Sequence, residues 1–177
     1  MLKSLVLILS IALFQFSLTA QKIDKDKSIV NFKIGNMGGL NSVKGTFSGF
    51  SGNVVFSPHD LSSAKIDVCI DASTVNTGNK KRDNHLRTED FFEVEKYPKI
   101  CFNAKEIIKS TNGFIAKGTL KMHGVTKTVE IPLTYENNML TGKLKVNRFD
   151  YKIGEDTGTF MVGTEAEITI NCQLKPQ

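Results

Sequence analysis

The chain has 177 residues, 40% of them hydrophobic and 23% charged, with a formal net charge of +5 and no tryptophan. That length makes one domain whose core is large enough to need no disulfides. The basic excess is mild, and its lysines alternate with acids instead of forming a stripe with interleaved aromatics, which excludes a nucleic-acid reader.

The first twenty residues have a basic start at Lys3, an apolar run over residues 5–14 and a polar, small-residue exit at Ser17, Thr19 and Ala20. These are the marks of a secretory signal peptide, with cleavage expected after Ala20. The run is shorter than the ~20 residues a spanning helix needs, and no other segment approaches that length. No cysteine follows the leader, so a lipoprotein anchor is not supported. The expectation is a periplasmic or secreted domain over residues 21–177 with no transmembrane segment, for which a homodimer is an open option.

Residues 28–34 alternate, with Val30, Phe32 and Ile34 on one face. Val43, Gly45 and Phe47 continue the pattern until Gly49 and Gly52 interrupt it before Val54 and Phe56, which predicts one long bent strand. Ile66, Val68 and Ile70 mark the next strand. Beyond a long irregular stretch come Ile100, Phe102 and Ala104, then Phe114, Ala116, Gly118, Leu120 and Met122, then Val129, Ile131 and Leu133, then Leu140, Gly142, Leu144 and Val146. The last strand is expected from Phe160 through Val162, Ala166, Ile168, Ile170 and Cys172 to Leu174. Turn residues at Asn112-Gly113, His123-Gly124 and Asn137-Asn138 separate the strands. The predicted fold class is all-β: an antiparallel meander of about eight strands, closed into a barrel, with a short helical insertion between two strands.

That insertion, within residues 76–102, is the one long segment where alternation stops. Charged residues crowd it, and Leu86, Phe91 and Phe92 need a dry place, which the end of a barrel offers. Thr88 followed by Glu89 and Asp90 fits a helix N-cap. Here the sequence TGNKKRDNHLRTEDFFEVEKYPKICF resembles the signature of the YceI-like family of lipid- and polyisoprenoid-binding proteins. Residues 118–127, GTLKMHGVTK, and Val43, Gly45 and Phe47 upstream extend the resemblance, which covers residues 24–174. It implies a lipocalin-like barrel that holds a long isoprenoid or acyl chain along its axis.

Inward parity combined with that resemblance makes Phe32, Ile34, Gly45, Phe47, Val68, Ile70, Phe102, Ala116, Gly118, Leu120, Ile131, Val146, Ala166 and Ile168 the expected cavity lining. Small residues at mid-strand, Gly45, Ala104, Ala116, Gly118, Gly142 and Ala166, are read as space for a ligand, although a tapering filled barrel would use them equally. The residues matching the family pattern in the insertion, Asn79, Arg82, Asp83, His85 and Leu86, frame the cavity mouth, with Phe91 and Phe92 as its lid.

Candidate chemistry is sparse. His85 beside Asp83 could form a proton-transfer pair, but no nucleophile with oxyanion donors is evident, and Arg82 with Asp83 reads as a structural ion pair. His59, His85 and His123 lack metal-site spacing, so no metal and no cofactor is expected. Lys80, Lys81, Arg82 and Arg87 could face an anionic head group or simply solvent. Cys172 shares the inward face, whereas Cys69 and Cys101 face outward on strands flanking the insertion and could be bridged if they fall directly opposite one another. The favoured function is an exported carrier of a long-chain amphiphile such as a polyisoprenoid, isoprenoid quinone or fatty-acid derivative. The alternatives are a lipid-modifying enzyme using His85 and a non-binding structural or interaction barrel.

Overall fold

The computed structural model describes residues 20–176. Eight strands, β1 (Ile29–Asn36), β2 (Asn41–Val55), β3 (Lys65–Asn76), β4 (Lys99–Ser110), β5 (Gly113–Met122), β6 (Val125–Glu136), β7 (Met139–Asn147) and β8 (Glu165–Gln173), form a closed antiparallel barrel in chain order. Closure comes from β8 pairing back onto β1, with Val30 opposite Ile170 and Phe32 opposite Ile168. Because side chains alternate between faces, each strand delivers every second residue to the interior.

Strand β2 bends where its register against β3 shifts, near Gly49 and Gly52, both with positive φ. A Cβ at Gly52 would run into the carbonyl of Asp67, so the bend requires glycine. The shift brings Phe47 and Phe50, three residues apart, to the interior together. The turns at His123-Gly124 and Asn137-Asn138 have positive φ at both central residues, matching the twist of two-residue hairpins.

The helical insertion between β3 and β4 is α1 (Lys80–Leu86). Asn79 caps it by accepting from the Arg82 amide at 3.1 Å. Thr88 is not an N-cap; it follows the helix and donates from its hydroxyl to the His85 carbonyl at 2.8 Å.

One correction falls at the carboxyl end. Strand β8 begins at Glu165, and Phe160 and Met161 stand exposed in a loop. Glycines at 154, 158 and 163 fold residues 148–164 into turns, and the sequence parity ran on through this loop because Val162 does reach the interior.

The barrel's two ends differ. At one, tight hairpins, the 56–64 connection and both described chain termini meet, and Phe56 packs edge-on against Phe114 at 5.0 Å and, tilted, against Tyr135 at 5.1 Å. Ile23 and Leu174, bridged to each other, complete this floor. The opposite end carries the two longest connections, residues 77–98 and 148–164.

Candidate binding cavity

Between floor and lid lies a cavity of about 220 Å³. From β1 and β2 it is lined by Phe32, Ile34 and Phe47, and from β3 and β4 by Val68, Ile70 and Phe102. Leu120, Ile131, Val146, Ala166 and Ile168 line it from the remaining strands. Of the residues expected there, Gly45, Ala116 and Gly118 do not face it. The Phe32 ring lies over Gly45, its cross-strand partner, and occupies the room a side chain would take. At Gly118 a Cβ would strike the Asn103 carbonyl beside the β4 register shift, and Ala116 is fully buried in the barrel wall.

The 77–98 connection is the first half of the lid. Leu86, Phe91 and Phe92 point into the cavity, and Phe92 meets Phe47 edge-on at 5.2 Å. The residues framing it act from outside. Asp83 is buried and accepts from the Thr77 amide at 2.8 Å and the Thr77 hydroxyl at 2.5 Å. Arg82 donates to the same hydroxyl oxygen at 2.8 Å. Arg82 and Asp83 are therefore coupled through Thr77 and are not a direct ion pair. Arg87 donates to the carbonyls of Ser73 and Val75, both at 2.7 Å, and moors the lid to the end of β3.

His85 does not pair with Asp83. Its Nε2 lies 2.9 Å from Asp90, its side chain is 57% exposed, and it lines no part of the cavity. No cluster of three or more histidine, cysteine or acidic side chains suited to a metal ion occurs among the described residues.

The second half of the lid is built around Arg148. Its guanidinium is buried and donates to the carbonyls of Gly163 (3.0 Å), Ile153 (2.9 Å), Gly154, Thr157 (2.6 Å) and Val162 (3.3 Å). All five N–H groups are used, and the plane stacks on Phe149 at 4.0 Å. Burial draws the guanidinium pKa below its ordinary value. Among the described residues, Arg148 is the only nitrogen- or oxygen-bearing side chain in the cavity lining. His123, in the β5–β6 turn, stands between the lid halves: Nδ1 lies 3.0 Å from the Tyr151 carbonyl and donates to it, while the ring packs on Tyr97 at 4.8 Å.

A family model, YceI-like domain, matches residues 21–174. The chain belongs to the YceI-like family. Among curated relatives it is 33% identical over 103 residues to a UPF0312 protein of Vibrio campbellii, covering 58% of this chain and 54% of that one. A UPF0312 protein of Yersinia enterocolitica is 34% identical over 121 residues, covering 66% and 62%. The matched stretch thus spans little more than half the length of these relatives. Among solved structures, Burkholderia cenocepacia BcnA superposes with a TM-score of 0.76 at 26% identity, covering 85% of this chain and 98% of that one. A polyisoprenoid binding domain from Saccharophagus degradans gives 0.69 at 17% identity, covering 91% and 100%, and speaks to the fold alone.

In this YceI-like barrel the sequence reading missed the contribution of the second connection. Arg148 and Ile153 reach the cavity beside Val162, which alternation already placed inward, and Tyr151 is buried next to them. The available signal was the break in alternation after Val146, where Arg148, Phe149 and Tyr151 bring bulk and charge into a stretch rich in turn residues. The outward cysteines do meet: Cys69 and Cys101 are direct cross-strand partners and form a disulfide.

Proposed function

We propose that this protein is an exported YceI-like carrier that sequesters a long-chain amphiphile in its barrel and performs no covalent chemistry on it. A polyisoprenoid, an isoprenoid quinone or a fatty-acid derivative would suit the site. The observation that carries the reading is a cavity lined by apolar side chains, sealed at its floor and covered at the other end by two loops. Hydrocarbon placed there gains roughly 25 cal/mol per Å² of apolar surface removed from water. The volume of about 220 Å³ falls below the ~300–1,000 Å³ usual for compact ligands and favours a thin, linear tail. Arg148 puts positive charge at the lid end, so a head group with partial negative charge would orient there.

Membership of the YceI-like family points toward binding rather than catalysis. Against the lipid-modifying alternative stands the outward position of His85. Support for export comes from the Cys69–Cys101 disulfide, a bond typical of oxidising compartments and rare in the cytosol. The signal peptide itself, apart from its last residue, lies outside the described residues.

The test is mass spectrometry of organic extracts from protein purified without detergent from its native host. A reproducible long-chain lipid at close to one per barrel is the expected result. An empty barrel from fresh preparations would overturn the carrier reading, and a chemically altered lipid released on turnover would favour the enzyme.

A further inference from the structure

The fold leaves five large apolar side chains exposed among the described residues, and four of them, Met37 (45%), Leu40 (83%), Phe160 (62%) and Met161 (61%), lie together at the lidded end. Two loop tips carry them. The Gly38 amide donates to the Phe160 carbonyl at 2.8 Å, the Gly163 amide donates to the Gly35 carbonyl at 2.8 Å, and the Phe160 ring lies against Gly38. The fifth, Ile108, is on β4 near the floor.

A chance scatter of surface apolar residues would need no explanation, but a joined patch does. Residues 35–43 and 157–164 contain no charged side chain, in a chain that is 23% charged. Both tips could therefore leave water without stripping an ion of its hydration. Each tip also continues directly into the cavity wall: Ile34 precedes one, and Val162 follows Met161 in the other. The apolar surface outside is thus continuous along the backbone with the apolar surface inside.

Charge around the patch is consistent with a phospholipid surface. Lys44, four residues beyond Leu40, and Lys80 and Lys81, which open α1, are exposed and make no ion pair among the described residues. Of the acids nearest the rim, Glu165 is held by Lys145 at 2.8 Å and Glu167 by Lys33 at 3.8 Å. Glu155 and Asp156 remain exposed, on the limb of the loop leading up to the tip.

We propose that Met37, Leu40, Phe160 and Met161 form a membrane-docking edge that inserts into the outer few ångströms of a phospholipid bilayer and sets the cavity mouth against it. The carrier reading gives this edge its purpose, but the edge can be tested without it.

The experiment is flotation of the protein, as recovered from expressing cells, with phosphatidylcholine vesicles containing phosphatidylglycerol. The wild type is expected to float, and Phe160→Ser/Met161→Ser or Leu40→Ser to lose about tenfold in vesicle partitioning, the scale expected for withdrawing large side chains from a bilayer interface. Lipid content and melting temperature should not change, since these side chains are exposed and line no cavity. Ile108→Ser should float like the wild type. Ala166→Phe, which fills the cavity, should float while losing its lipid, so failure of the carrier reading and failure of docking are read separately. A wild type that stays with the unbound protein overturns the proposal, as do patch variants that float unchanged. So does a dimer, seen by light scattering, that the patch variants dissociate without any wild-type flotation, because the edge would then face a second copy.

Discussion

The two ends of the barrel use the same eight strands and are closed by different forces. The floor is held by apolar burial: Phe56 is 2% exposed and Leu174 0%. The lid buries Phe91, Tyr151 and Ile153 as well, and adds arginine side chains reaching backbone carbonyls, Arg87 on β3 and Arg148 on its own loop, and Asp83 on Thr77. Burial has no direction and is lost only when the surrounding strands separate. Hydrogen bonds at the exposed edge of the lid, such as that of Arg87 to Ser73, exchange with water at a net cost of about 1 kcal/mol each, so a segment tied by them can open while the barrel stays folded. The floor is therefore expected to weigh more on fold stability and the lidded end on exchange with the surroundings.

The largest expected effect is at the floor. Phe56→Ala removes the ring that both Phe114 and Tyr135 pack against and should cost about 3–5 kcal/mol in denaturant unfolding. Release of a pre-bound fluorescent fatty acid should stay at the wild-type rate; accelerated release would mean that the floor is also a gate. Arg148→Met follows, leaving buried carbonyls without donors, at a cost on the order of 3 kcal/mol and a melting temperature lower by about 10 °C. A shift of only a degree or two would show that water replaces the guanidinium.

Phe92→Ala, at a half-buried ring, should cost roughly 1–2 kcal/mol yet speed release of the same probe several-fold by stopped-flow fluorescence. Unchanged release would separate the 77–98 connection from gating. His85→Ala should be the mildest, within about 0.5 kcal/mol and with unaltered lipid retention, because its contact with Asp90 is an exposed pair. Finally, Cys172 tests the seal without a stability change. Burial pushes its thiol up to about 12, so a maleimide at pH 8 should label it only after denaturation, and labelling of the folded protein would mean a water path into the interior.

Strand order, closure and most of the inward residues were legible because a period of two assigns faces with little ambiguity: Phe32, Val68, Phe102, Ile131 and Ile168 face the cavity as alternation requires. Small inward residues were not interpretable the same way. Gly45 makes room for the ring of Phe32, and Gly118 for the backbone of β4 at its register shift, so their lack of bulk serves neighbours that are adjacent only in the folded sheet. Gly142 and Ala166, identical in character along the chain, do border the cavity. The lid loops were harder still. Nothing along the chain sets Arg148 apart from the other cations, and only the turns at residues 153–163 gather the carbonyls that bury it.

The Cys69–Cys101 bridge gives the lid a property of another kind. It joins β3 to β4 below the 77–98 connection and encloses it in a covalent ring, with the two cysteines 32 positions apart in sequence. A protease that cuts the exposed lid would open the ring without dividing the molecule. The nicked protein would migrate as a single species until a reductant is added, and both halves of the barrel would remain tethered across the break.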